Sequence, residues 1–152
     1  MPKAKPKAKP REHKGVEVRK CVTGSGVFAL RRYRAGELVG RVLGKMHDDP
    51  DYASEYCIDM GENLSLEPHA PFRFLNHCCA PNCQLYSVDH PTGKPSLAKV
   101  IVETLAVIQP GEQLTIDYGW TADAAIPCLC GHAQCRGWVC ALEEMPKLAQ
   151  AK

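Results

Sequence analysis

Three cysteines crowd the segment CLCGHAQC, at Cys128, Cys130 and Cys135, and Cys140 follows shortly after. Thiolates this close together suit part of a tetrahedral zinc site, with loose structural thiols as the plainer alternative. The possible fourth ligands are Cys83, His132 and Cys140. Cys83 closes a second dense run, FRFLNHCCAPNC from Phe72, which sets Arg73 between two aromatics and follows them with Asn76 and His77. That is too polar for a core strand and too apolar for an ordinary loop. Tyr118 in TIDYGW comes at the end of an expected strand, where its hydroxyl can face a cavity or rest half-buried at a sheet rim. Gly24, Ser25 and Gly26 can let backbone approach a ligand closely, or simply make a hairpin turn. Asn76 and His77 alone read equally as a cap and a satisfied core group.

The elements that must position these groups come from a chain of 152 residues, enough for one domain with a real core. Residues 1–14 carry five Lys and one Arg against one Glu, while the rest holds 13 basic and 16 acidic groups, so a basic tail precedes a mildly acidic body. The tail's PKAKPKAKP composition cannot bury apolar area and is expected to be disordered. No apolar run approaches the ~18 residues of a membrane helix and the start lacks the apolar core of a signal peptide, so an intracellular protein without membrane contact is expected. In such a compartment nine cysteines, an odd number, favour reduced, metal-binding thiols over disulfides.

From Gly15 onward the signals are those of short strands: 16–22, 27–30, 37–44, 55–60, 63–66, 82–89 and 97–108, with turns at 24–26, 91–95 and 110–113. The one helix expected, ALEEMPKLA at 141–149, is interrupted by Pro146. The body is therefore mainly β.

A glycine-rich turn into VFA, then RFLNHCCAPNC, GEQLTIDYG and CLCGHAQCRGW, in that order, resembles the SET-domain protein lysine methyltransferases with a post-SET zinc segment, over Gly15 to Val139. The resemblance implies several small sheets, a knot-like C-terminal crossing, few short helices and a zinc-bound flap. It divides the chain into a tail (1–14), a SET domain (15–120), a post-SET segment (121–140) and a C-terminal tail (141–152). It implies S-adenosylmethionine as methyl donor, bound by Gly24, Ser25, Gly26, Val27, Arg73, Asn76, His77 and Trp138, with zinc on Cys83, Cys128, Cys130 and Cys135. Tyr118 would be the active-site tyrosine and Tyr56 a second wall of the lysine channel, while Phe72 and Phe74 would anchor a strand. Ile116, two residues before Tyr118, stands where the family sets how many methyls fit; neither it nor Ile58 offers a hydroxyl to hold water.

Cys78 stands where serine is usual, and Arg41 to Lys45 replace the family's Glu-Tyr-x-Gly-Glu. The insert between Met46 and Tyr56 is short, so a minimal peptide groove is expected; the resemblance places Asp48, Asp49, Asp51 and Glu55 on one wall of it, with a solvated acidic loop as the plainer alternative. The partner implied is a protein with a basic, lysine-containing tail, a histone or histone-like protein, or the chain's own residues 1–10 by self-methylation. A nuclear or chromatin setting is expected in a eukaryote and a cytoplasmic one in a bacterium. The rival readings are a catalytically silent zinc module that binds basic peptides, and weak nucleic-acid contact through the tail.

Overall fold

The computed structural model describes residues 13–150, so the disordered-tail expectation lies, apart from His13 and Lys14, outside the described residues. The chain begins with a hairpin of β1 (Val16–Cys21) and β2 (Gly24–Ala29), registered Cys21 to Gly24 and Val16 to Ala29. The turn is Val22 and Thr23, not the glycines: Val22 is 97% exposed, and Gly24 opens β2 at φ +108°, a conformation that favours glycine. β3 (Leu38–Val42), β4 (Gly44–Asp48), β5 (Ile58–Gly61) and β6 (Leu64–Pro68) follow. Phe72–Phe74 form a single 3-10 turn rather than a strand, and β7 is only Asn76–His77. β8 (Cys83–Val88), β9 (Lys99–Thr104), β10 (Gln113–Ile116), β11 (Ile126–Pro127) and β12 (Trp138–Val139) complete the strands.

These strands make four small sheets, ordered β1-β2-β10-β7, β3-β9-β8, β4-β6-β5 and β11-β12. The apolar run expected as one strand over 97–108 stops at Thr104; Ile108 then bridges to Tyr33, and both are buried. One core joins the sheets: Val27 and Leu114, Val42, Val100 and Val102, and Leu66 pack with Phe72, Leu75 and Ile116. Each such side chain contributes ~1.5–3 kcal/mol by leaving water. The helix α1 is Met145–Gln150, with Pro146 in its first turn, where the missing N–H costs nothing. Among the described residues no helix is long and apolar enough to cross a membrane.

The site depends on β10. It pairs antiparallel with β2 and parallel with β7, placing Thr115 beside Asn76 and Ile116 beside His77. Asn82 fastens the same strand from outside the sheet: its Nδ2 donates to Gln113 O at 2.8 Å and its Oδ1 accepts from Thr115 N at 2.9 Å. The segments carrying Asn76, His77 and Tyr118 are thus side by side although some 40 residues separate them in sequence.

Candidate active site

Asn76 leaves β7 with its amide facing the hairpin. Its Nδ2 donates to Ser25 O and to Gln113 Oε1, both at 2.8 Å. A Cβ on Gly26 would come within 2.6 Å of Gln113 Oε1, so this glycine makes room for the Asn76–Gln113 pair. His77 Nδ1 accepts the Tyr118 N–H at 3.0 Å, which leaves the ring hydrogen on Nε2, 3.4 Å from Cys79 Sγ. Burial holds the His77 imidazole below its ordinary pKa; Asp117 opposes this and Arg136 adds to it.

Tyr118 lies against the His77 and Trp120 rings, and its hydroxyl donates to Leu75 O at 2.7 Å. Burial first, and then the Tyr56 and Glu55 charges, push its phenol above the ordinary value of 10.0, while a backbone hydrogen bond at His77 partly opposes the rise. It is therefore neutral at pH 7 and serves as a donor rather than a base.

Two cavities meet at this tyrosine. One, of about 430 Å³, is lined by Gly24, Ser25, Asn76 and His77 on the body side and by Pro127, Leu129 and Val139 on the C-terminal side. The other, of about 740 Å³, is lined by Cys57, Ile58, Asp59, Ile116 and Asp117, among others. Glu55, Tyr56, Arg73, Leu75, Tyr118 and Trp120 line both. Arg73 holds its guanidinium 3.9 Å above the Tyr56 ring and pairs with Glu67.

Behind the first cavity, the sulfurs of Cys79, Cys128, Cys130 and Cys135 lie within 4.8 Å of one another. Cys79 Sγ is 3.7 Å from that of Cys128 and 4.0 Å from that of Cys135. A tetrahedral zinc with Zn–S bonds of ~2.3 Å places its sulfurs ~3.8 Å apart, so these four thiols fit that ion. Burial disfavours ionisation of Cys130, but N–H groups near Cys79 and His132 and the neighbouring thiols outweigh it and bring the group down to about 6. Arg136 ties the cluster to the body: Nη2 donates to Asp117 Oδ2 and to Cys140 O, each at 2.8 Å, and Nη1 to Cys79 O at 3.3 Å.

A family model described as the SET domain matches residues 24–119, well over half of the chain. The chain belongs to the SET-domain family. It is 43% identical over 130 residues to an H3 lysine-4 specific histone-lysine N-methyltransferase of Schizosaccharomyces pombe, covering 75% of this chain and 14% of that protein. To the histone-lysine N-methyltransferase trithorax of Drosophila melanogaster it is 30% identical over 136 residues, covering 80% of this chain and 4% of the other. The chain thus spans only a small part of these relatives' length. Among solved structures, KRYPTONITE in complex with mCHH DNA, H3(1-15) peptide and SAH superposes with a TM-score of 0.72 at 25% identity, over 82% of this chain and 29% of that one.

In this SET domain Gly24, Ser25, Asn76, His77, Arg73, Tyr56 and Tyr118 come together as cavity lining. Gly26 and Val27 do not line it: Gly26 accommodates Gln113, and Val27 is core. Trp138 is 39% exposed and lines neither cavity; its neighbour Val139 does. Of the four acidic residues expected along the groove, Glu55 lines both of these cavities and the three aspartates line neither; His47 stacks on Tyr52 at 3.7 Å, and Asp49 accepts the Asp51 N–H.

Cys83, expected as a metal ligand, lies outside this cluster, and Cys79 stands in its place. Cys83 starts β8 with its side chain 0% exposed among Val102, Leu85 and Leu114, and burial pushes its thiol up to about 12. The alternation Cys83, Leu85 along NCQLYSV is the signal that points Cys83 into the core. His132 and Cys140 are likewise outside the cluster. Sequence reasoning also missed Glu67, Gln113, Asp117 and Arg136. The last three lie inside segments singled out above, GEQLTIDYG and CRGW.

Proposed function

We propose that this chain is an S-adenosylmethionine-dependent protein lysine N-methyltransferase acting on a basic tail of a histone or histone-like protein. The observation that carries the reading is the pair of cavities meeting at Tyr56, Leu75 and Tyr118, which gives donor and acceptor separate chambers with one shared wall. Gly24, Ser25, Asn76 and His77 would hold the methyl donor in the smaller chamber. S-adenosylmethionine, when bound, supplies a methyl on a positively charged sulfur, so the lysine must arrive as the neutral amine.

The chain's residues serve that requirement. Loss of water in a narrow channel walled by Tyr56, Tyr118 and Trp120, beside the positive sulfur the donor would bring, disfavours the ammonium and lowers the amine's pKa from its ordinary ~10.4. The Tyr118 hydroxyl, fixed on Leu75 O, sets the polar edge against which nitrogen and methyl are aligned. Zinc on Cys79, Cys128, Cys130 and Cys135 would be structural, closing residues 126–139 over the donor chamber as a flap distinct from the 15–120 body.

The relatives named above are histone-lysine methyltransferases, and KRYPTONITE was solved with an H3 peptide; both support a histone-type substrate, which in a eukaryote would place the protein at chromatin. Glu55, Asp59 and Asp117 around the larger chamber suit a basic segment, and the chain's own Lys3, Lys5, Lys7 and Lys9 offer the same chemistry. Labelled S-adenosylmethionine with a panel of basic proteins, followed by mass spectrometry of lysines, tests this. Methylated lysines are expected on a panel protein, on residues 1–10, or on both; a wild-type protein that labels neither refutes the reading. Labelling that is unchanged when residues 1–10 are deleted excludes that tail as the main site.

A further inference from the structure

Glu67 sits on β6 between the buried Leu66 and Pro68, with its carboxylate turned toward residues 52–57. Oε2 accepts the Tyr52 hydroxyl at 3.0 Å and the Ser54 hydroxyl at 2.5 Å. Ser54 Oγ in turn accepts the backbone N–H groups of Tyr56 at 3.1 Å and Cys57 at 3.0 Å. Oε1 takes Arg73, whose guanidinium lies 3.9 Å over the Tyr56 ring. One carboxylate therefore reaches Tyr56 by two routes, through Ser54 to its backbone and through Arg73 to its ring.

Tyr56 needs such support. It is more than a third exposed and stands on a loop before β5, where no sheet partner fixes it. Left to its own rotamers it would swing away from the wall shared by the two chambers. The carboxylate is the one acceptor common to both routes, and a charge-assisted pair to Arg fixes orientation as well as position.

We infer that Glu67 is the positioning residue that sets the Tyr56 wall of the lysine channel, acting through Ser54 and Arg73 without touching substrate or cofactor. In its catalytic part this rests on the methyltransferase reading above. The same geometry assigns Arg73, expected as a cofactor contact, a second task as the clamp on Tyr56.

Glu67→Gln keeps an acceptor for Ser54 and Tyr52 but removes the charge that holds Arg73. It is expected to lower kcat/KM for a lysine peptide about tenfold while the cofactor Kd stays within about twofold. In a Tyr56→Ala background the same change is expected to cost less than about threefold, because the residue through which it acts is gone. Full additivity in that background, or an equal loss of cofactor affinity, overturns the inference. If Glu67→Gln does not fold, Arg73→Lys, which keeps the charge but loses the flat stack, is expected to show the same non-additivity with Tyr56→Ala. Amide hydrogen exchange at Tyr56 and Cys57 in Glu67→Ala, which also removes the acceptor that fixes Ser54, gives a readout that needs no activity. Faster exchange in the variant supports the inference even if the wild type proves inert, an outcome that removes only the methyltransferase reading; unchanged exchange overturns it.

Discussion

Replacing Cys79 and replacing Cys83 should have opposite consequences, although the two thiols are four residues apart. Cys79 Sγ lies 3.7 and 4.0 Å from the Cys128 and Cys135 sulfurs, close to the ~3.8 Å edge of a zinc tetrathiolate. Structural zinc sites are worth about 10–16 kcal/mol at neutral pH. Shared among four ligands, one thiolate carries about 3 kcal/mol, so Cys79→Ser should weaken zinc binding by about 100-fold or more. Because Pro127, Cys128, Leu129 and Cys130 line the donor chamber, cofactor affinity should fall with it. Cys83→Ser places a hydroxyl in an apolar core, at a cost of about 1–3 kcal/mol. It should lower the melting temperature while leaving the zinc in place. Metal content by mass spectrometry, zinc competition against a chromophoric chelator and calorimetric cofactor titration separate the two. Zinc lost from Cys83→Ser but retained at full affinity by Cys79→Ser would refute the assignment.

Three further outcomes are expected. Asn76→Ala removes the donor shared by Ser25 O and Gln113 and should weaken cofactor binding by about tenfold, against little change in the KM for peptide; calorimetry beside steady-state kinetics checks it. Ile116 is buried and lines the larger chamber with Ile58, so neither of these two positions offers a hydroxyl to hold a water; a lysine already carrying a methyl should be accepted, and intact-mass time courses on a single-lysine peptide should reach di- and trimethyl forms. Should product stop at monomethyl with cofactor in excess, crowding by Ile116 is the cause to test with Ile116→Val. The Ser54 hydroxyl first, with Arg73 and Tyr52, holds the Glu67 carboxylate below its ordinary 4.5 against the opposing effect of burial. A depressed folded value means stability present above pH 4.5 and lost as pH falls through it, so Glu67→Gln should be less stable than wild type at pH 7 and converge with it in acid melts.

Much of the fold was legible because alternation is a local signal. The strands around Val16, Val27, Val42 and Val100 stand where Val- and Ile-rich runs bounded by turn residues placed them. What failed was decided by packing at a distance. GSG reads as a turn, yet it pairs as strand because Gly26 must admit Gln113 and because Val22 and Thr23 can make the turn themselves. Pro146 reads as a break, yet it opens a helix. Cys79 and Cys83 are both plausible ligands by type; only their direction distinguishes them, and that depends on where β8 begins. Glu67 carried no signal, since a glutamate in LSLEP is ordinary and its partners Ser54 and Arg73 are brought to it only by the folded loop.

The central claim is that the wall shared by the two chambers is where a methyl group passes to a lysine. It is tested most directly by transfer of labelled methyl from S-adenosylmethionine to a basic lysine peptide by wild type and by Tyr118→Phe, with cofactor affinity measured on both. The account predicts lysine methylation by the wild type and, in Tyr118→Phe, nearly intact cofactor binding with turnover lowered at least roughly tenfold, the effect of losing one orienting hydrogen bond worth ~1.4 kcal/mol in the transition state. Equal turnover by the two proteins, or a wild type that binds the donor and peptide without transferring the label, would contradict it.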